Sequence, residues 1–474
     1  MRKRNLFVAA YLAMGAAVAF TSCSNDEDIL NGGTTAEQSQ QSISVMVSNS
    51  GDQFAATRAS RPLYSSEAKQ NIDKVKVVIV KLGDKGTDVS DDTKLATLLY
   101  KTEGLTVVRE KTFDSWMMSG ISAPYNNSEG HGRLASWSLS GDNVIKEEGT
   151  YAAYAIGYSD NDYSDLSAFE ELVNSGTAKL PISVTANTNN DVKEIFAGVT
   201  TFEVTKSNLA TGEGEESYLY SFNATLTLHR QVAGTFGYFT NIPVKGDDAH
   251  KDQSGSKLRL VASGMNTKAV FAAFNSNFKN TDSDVKYVVN GHTAAGTLDA
   301  KLYGSSKNDA FTVYEIELDD WFASMDENND GVLNEKDTWQ KPAAITGAEF
   351  KTGSVFNGKF TIPFELVDNK VTYQLQLLNA GDEPIRYWNV RLASDDSQKD
   401  KYVAIVDATK GTTEANAEKE TVQNYSIVRN HLYTVGVKGK DDETGDDKPQ
   451  SLDQETLILR VNDNWEMVHQ MEID

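Results

Sequence analysis

The 474-residue sequence holds one cysteine, eight prolines and six histidines. A single thiol excludes any disulfide within the chain, so extra stability must come from packing or a bound metal. The histidines show no His-x-x-His spacing and there is no Cys-x-x-Cys pair, so zinc is not indicated. Positive charge is also short. Against 68 Asp and Glu there are 45 Lys and Arg, a net charge of −23. No basic stripe can neutralise phosphates, which argues against nucleic acid or an anionic membrane surface as a partner. Gly-x-Ser-x-Gly and phosphate-cradling lysine loops are absent. Acidic pairs are so common that none stands out as a glycosidase pair. No enzyme is read from these residues.

What is present are short runs of Val, Thr, Tyr, Phe and Ile separated by Gly, Asn, Asp and Ser, the pattern of an all-β protein. The length suffices for two to three domains. Val75, Val77 and Ile79 alternate with apolar Val78 and Val80, which predicts a strand buried on both faces. Period-two runs predict further strands at Ser42–Ser48, Leu95–Lys101, Leu105–Arg109, Ala135–Leu139, Tyr151–Tyr158 and Ile182–Thr185. In the second half they fall at Lys257–Ser263, Lys268–Phe274, Thr312–Leu318, Lys359–Leu366, Val371–Leu378, Tyr387–Leu392, Tyr402–Val406 and Asn430–Lys438. Leu166, Phe169, Leu172 and Val173 have helical spacing, with Ser164 or Asp165 at the cap. Trp116, Trp388 and Trp465 have the chemistry to stack on sugars, but packing is the commoner use.

Residues 1–22 read as a signal peptide: Arg2, Lys3 and Arg4 precede an apolar stretch from Leu6 to Phe20, too short for a membrane-spanning helix. Small residues before Cys23 resemble a lipoprotein signal, in which the thiol is acylated and anchors the chain to the outer membrane. Asp26, Glu27 and Asp28 follow, then a polar tether. The Thr57–Pro62 loop is exposed in character, and such loops are favoured for proteolytic nicking. Arg58 followed by Ala59 is the best site in it, because Pro62 blocks the bond after Arg61.

The ordered set Glu194-Ile195-Phe196-Ala197-Gly198, Leu228-His229-Arg230-Gln231-Val232-Ala233-Gly234 and Asn241-Ile242-Pro243 resembles the fimbrillins of Bacteroidales, the minor-type fimbrial stalk subunits of Porphyromonas especially. The Thr57-Arg58-Ala59 loop, Arg429–Val435 and the tryptophan-bearing C-terminal segment fit the same resemblance. It implies two transthyretin-like β-sandwich domains with a few short helices, here 59–224 and 225–474, after a lipidated propeptide at 23–58. It also implies a fimbrial subunit exported as a lipoprotein, cut after an arginine and polymerised head to tail at the cell surface by strand exchange with identical or related subunits, mediating adhesion. An anchor or tip subunit of the same fimbria, or a surface glycan-binding lipoprotein, are the alternatives. In residues 465–474, Trp465, Met467, His469, Met471 and Ile473 share one face of an extended segment and are the candidate donor-strand interface. Leu457–Val461, before the Asn462-Asp463-Asn464 break, is expected to stay in its own domain.

The sharpest chemical motif is the twelve-residue run 326–337. Asp326, Asn328 and Asp330 occupy loop positions 1, 3 and 5, with Gly331 at 6, Val332 offering a carbonyl, Asn334 at 9 and Asp337 at 12. That spacing matches an oxygen-lined Ca²⁺ loop. Asp at position 12 is shorter than the Glu of calcium sensors, so a structural ion is expected. An acidic surface turn is the competing reading.

Overall fold

Strand β1 (Gln40–Val47) enters the sheet at its interior and sets the architecture of the first half. The computed structural model describes residues 40–47, 72, 74–114, 133–158, 164–180, 182–185, 192–209, 217–266, 268–271, 291–292, 298–343, 345, 350–362, 373–392, 432–436, 449–453 and 456–462. The described part of the first half also contains β2 (Lys74–Gly83), β3 (Leu105–Phe113), β4 (Arg133–Ser138), β5 (Gly149–Tyr158), β6 (Thr177–Ala178), β7 (Ser183–Thr185), β8 (Phe196–Leu209) and β9 (Ser217–Arg230). Eight of these, all but β7, form one sheet in the order β4-β1-β9-β8-β5-β2-β3-β6.

Strand β2 is buried on both faces, as its continuous valine and isoleucine run predicts. Val75, Val77 and Ile79 join a core with Ile43, Val45, Phe202, Phe222, Leu226 and Leu228. Val78 and Val80 face a second core with Tyr154, Ile156, Leu166 and Phe169. Full burial of such a side chain contributes about 1.5–3 kcal/mol. Helix α2 (Ser164–Asn174) occupies the predicted helical segment, with Leu166, Phe169 and Val173 buried.

One element differs from expectation. The segment predicted as a strand from Leu95 to Lys101 is helix α1 (Asp92–Leu99). The Asp91 side chain accepts from the Lys94 backbone N–H at 2.8 Å, an N-cap that starts the helix. Leu95, Leu98 and Leu99 then fall on one helical face, so the apparent alternation of Leu95, Thr97 and Leu99 was an accident of spacing.

The second half contributes β10 (Ala233–Thr240), β11 (Ile242–Pro243), β12 (Lys257–Ala262), β13 (Lys268–Val270), β14 (Gly291–His292), β15 (Phe311–Glu317), β16 (Val332–Leu333), β17 (Ser354–Thr361), β18 (Tyr373–Leu378), β19 (Pro384–Leu392), β20 (Leu432–Val435), β21 (Gln450–Ser451) and β22 (Thr456–Asn462). A nine-stranded sheet runs β15-β12-β18-β19-β22-β20-β10-β17, with β21 also on β10. The Asn357 side chain on β17 donates to the Glu315 carbonyl on β15, so the two ends of that strand path meet. Leu457–Val461 lies within β22, between β19 and β20. The expected division at 224/225 falls inside β9, whose Leu226 and Leu228 belong to the first core. The chain changes sheet at Gln231-Val232, between β9 and β10. The second core continues across that change into Phe236, Tyr238, Leu258 and Trp388. Strand β7 pairs with β13, and the Tyr154 hydroxyl reaches the Phe271 carbonyl at 3.4 Å, tying the halves together.

Candidate functional site

The alternation of Gln41, Ile43 and Val45 with Ser42 and Ser44 places the first three on the inner face of β1. Ile43 and Val45 are wholly buried, and Gln41 is 2% exposed. Strand β1 is not an edge. It runs antiparallel to β4, with Ile43 opposite Trp137 and Val45 opposite Ala135. It runs parallel to β9, with Ile43 opposite Ala224 and Val45 opposite Leu226. Its backbone is therefore hydrogen-bonded on both sides, and removing it would leave β4 and β9 with open backbone groups beside an apolar slot.

Gln41 fixes the register. Its amide Nε2 donates to the Ile145 carbonyl at 2.8 Å and its Oε1 accepts from the Ile145 N–H at 2.9 Å. The side chain thus pairs with Ile145 as a backbone unit would. Nε2 also lies 3.3 Å from the Tyr220 carbonyl, and the Gln41 carbonyl accepts from the Leu139 N–H at 2.9 Å. Sequence reasoning did not single out Gln41, although the period-two pattern already puts it on the face of Ile43.

The 326–337 loop folds on itself. Positive φ angles at Asp326 (55°), Asn329 (57°) and Gly331 (87°) turn the chain, and glycine suits the last of these. The Asp326 carboxylate accepts from the Gly331 N–H at 3.1 Å. Asp330 Oδ2 accepts from the amides of Asn328 and Asn334, each at 3.0 Å, and lies 3.3 Å from the Lys336 ammonium. The Asn334 amide, with the Val332 N–H and Lys336, holds the Asp330 carboxyl below the usual carboxylate range, outweighing desolvation. Asp337, 7% exposed, accepts from the Glu327 N–H at 3.0 Å and the Asn334 N–H at 2.8 Å, closing the loop. Val332 and Leu333 pair with Ile242 and Pro243, which fastens the loop to the end of β10. A single 3₁₀ turn, Leu318–Asp320, stands a few residues before the loop. Among the described residues, no group of three or more Asp, Glu, His or Cys side chains is gathered as a metal cluster. The loop's donor set mixes carboxylates with asparagine amides.

Cys23, Arg58, Ala59, Trp465, Met467, His469, Met471 and Ile473 lie outside the described residues, as do Trp116 and the strand expected at Tyr402–Val406. Trp388 is 1% exposed, with the Arg386 guanidinium 5.4 Å from its ring centre, so it serves packing.

No protein-family model and no curated protein matches the sequence. Among solved structures, the chain is similar to a candidate cell adhesion protein from Bacteroides eggerthii, with 11% identity, 91% of this chain and 97% of that chain covered, and a TM-score of 0.35. A candidate cell adhesion protein from Parabacteroides distasonis gives 12% identity, coverage of 89% and 95%, and a TM-score of 0.37. The tip fimbrial protein from Porphyromonas gingivalis with C-terminal truncation gives 8%, 89% and 98%, and 0.33. These structural neighbours are candidate Bacteroidales adhesins and fimbrial proteins, at low identity.

Proposed function

We propose that this protein is a structural subunit of a surface fimbria, assembled by removal of its N-terminal strand and insertion of a strand from the next subunit. The observation that carries this reading is the position of β1. A strand from the N-terminal segment, with Ile43 and Val45 wholly buried, fills the sheet interior between β4 and β9. In the proposed route Cys23 is acylated and holds the precursor at the outer membrane, and cleavage after Arg58 frees a chain starting at Ala59 that lacks β1. The exposed slot then accepts Trp465–Asp474 of another copy by β-augmentation. Such a contact is heterologous and builds an open filament. Two transthyretin-like sandwiches are the architecture this reading assigns to the two large sheets.

Calcium belongs to the same proposal as a structural ion. Asp326, Asn328, Asp330, Asn334 and Asp337, with the Val332 carbonyl, would hold it. Amide O and N positions are interchangeable by a flip, so Asn328 and Asn334 can present oxygen. The ion would supply the charge that Lys336 now places beside Asp330.

N-terminal sequencing of material sheared from the cell surface tests the route. A start at Ala59 is expected, and a start at Cys23 would sink the stalk reading. Deletion of Trp465–Asp474 should yield monomers; polymers from that truncation would refute the donor role.

A further inference from the structure

A cavity of about 440 Å³ opens between the Asp247–Lys251 turn and β19, lined by Asp247, Asp248, Lys251, Arg386, Tyr387 and Asn389. Its size falls in the range of roughly 300–1,000 Å³ typical of small-ligand clefts. We infer that this cavity, with the Tyr387 ring as its platform, binds a neutral saccharide. The inference does not rest on the polymerisation route proposed above.

Three observations lead there. The first is the platform. Tyr387 is 38% exposed on a strand whose neighbours Ile385 and Trp388 are buried. Its ring centre lies 4.5 Å from that of Tyr303 with 30° between the planes, so Tyr303 backs one face of the ring and the exposed remainder is the platform. The C–H face of a pyranose packs against such rings.

The second is rigidity. The Tyr303 hydroxyl donates to Asp247 Oδ2, and His250 Nδ1 lies 2.9 Å from Asp247 Oδ1. The His250 ring meets Tyr303 edge-on at 5.9 Å. Asp247 itself is fixed by its backbone N–H, which donates to the Ile385 carbonyl at 2.9 Å. The platform is therefore set before any ligand arrives, which lowers the ordering cost of binding.

The third is the rim. Two carboxylates, Asp247 and Asp248, are matched by two cations, Lys251 and Arg386, so the cavity carries no excess charge although the whole protein is strongly acidic. Asn389 is half-buried, and its amide makes no hydrogen bond to the described residues. Each sugar hydroxyl both donates and accepts. Carboxylates accept, Lys251 and Arg386 donate, and the Asn389 amide does both. Arg386 is held over Trp388, which aims its donors without neutralising them. A phosphorylated or otherwise anionic ligand would meet Asp247 and Asp248, and a purely apolar one would bury Asn389 and the charges without partners.

The test uses the full chain on immobilised oligosaccharides ending in glucose, galactose, mannose or N-acetylglucosamine, beside sialylated counterparts. Affinities for positives follow from titration calorimetry. At least one neutral class should bind. Affinity should drop tenfold or more in Tyr387→Ala and in Asn389→Ala, while Tyr387→Phe keeps it, and all three variants should retain the wild-type circular dichroism and melting temperature. Binding of no neutral glycan, binding of sialylated glycans alone, or undiminished binding by both alanine variants would each overturn the assignment. Polymer formation by Tyr387→Ala should match wild type, which separates failure here from failure of the fimbrial reading.

Discussion

Glu194 and Arg230 form an ion pair sealed from solvent, with Nε and Nη2 of Arg230 at 2.8 and 2.6 Å from one carboxylate oxygen and the side chains 2% and 1% exposed. The pair joins the residues before β8 to the last residue of β9, where the chain leaves one sheet for the other. The Arg230 guanidinium also sits 5.0 Å from the Phe196 ring centre. Gln231 continues the junction, its N–H donating to the Ile195 carbonyl at 2.8 Å. Two motifs that look unrelated in sequence are thus one structural unit. The glycine of the first has a reason as well: a Cβ on Gly198 would lie 2.0 Å from the Thr227 carbonyl oxygen.

Removing one charge of this pair should be far worse than removing both. Glu194→Ala leaves a buried guanidinium without its carboxylate, and the cost is expected at about 3–5 kcal/mol. Glu194→Leu with Arg230→Met replaces the pair by apolar groups and should recover much of that loss. Urea unfolding of the two variants checks the order; a double variant less stable than Glu194→Ala would contradict it.

These contacts show what the sequence could and could not reveal. The continuous apolar run of β2 gave its two-sided burial directly, because period two assigns alternate residues to opposite faces. The same rule failed at Leu95–Lys101, where leucines at 95, 98 and 99 serve a helix as well as a strand and Asp91 settles the choice. The turns of the 326–337 segment were readable because they are local, Asp326, Asn329 and Gly331 each taking a positive φ within a few residues of one another. Arg230 with Glu194, Gln41 with Ile145, and Tyr303 with Tyr387 were not readable as pairs. Each joins residues 36 to 104 positions apart, and only the strand order brings them together.

The clamp at Gln41 gives a second prediction. Gln41→Ala would leave the buried N–H and carbonyl of Ile145 without the amide that now satisfies both. A loss of about 1–3 kcal/mol is expected, read as a fall in the urea midpoint. Ser42→Ala, which removes only an exposed contact to Asn223, should change stability by less than about 0.5 kcal/mol. Equal losses in the two variants would mean that Gln41 does not set the register.

Calcium should stabilise the folded chain by mass action, about 2.7 kcal/mol when free Ca²⁺ is a hundredfold above the dissociation constant. Melting followed with and without a chelator reads this directly. Asp330→Ala removes the oxygen on which Asn328, Asn334 and Lys336 converge, and should abolish the calcium-dependent shift. A shift that persists in that variant places the ion elsewhere; no shift in the wild type removes calcium from the proposal.

Asp247 carries a pH signature. Partial burial opposes its ionisation, but the hydrogen bonds from Tyr303 and His250 outweigh this and hold its carboxyl below the usual range. A folded-state pKa below the unfolded value of about 3.9 stabilises the protein above that pH, and the contribution fades as pH falls through the folded value. The stability gap between wild type and Asp247→Asn should therefore be widest near neutral pH and narrow as pH falls through the lowered folded value. A gap that stays constant through acid would show that the charge of Asp247 contributes nothing. On the phenol side, burial and then the Asp247 hydrogen bond push Tyr303 up to about 12, so it stays a donor throughout this range.

The last prediction concerns the slot itself. Ile43 and Val45 each contribute about 1.5–3 kcal/mol by burial, and β1 also satisfies backbone groups of β4 and β9 along its length. A chain beginning at Ala59 should therefore melt well below one that retains β1. A synthetic peptide spanning Gln40–Val47 should bind the shortened chain and raise its melting temperature, and the same peptide with Ile43→Asp should do neither, because a carboxylate would be buried against Trp137 and Ala224 without a partner. A peptide spanning Trp465–Asp474 should compete for the same position if the C-terminal segment is the incoming strand, since an apolar residue at every second position is what the inner face requires. Binding of both peptides at once would show that they occupy different edges and would break the link between the vacated strand and the donated one.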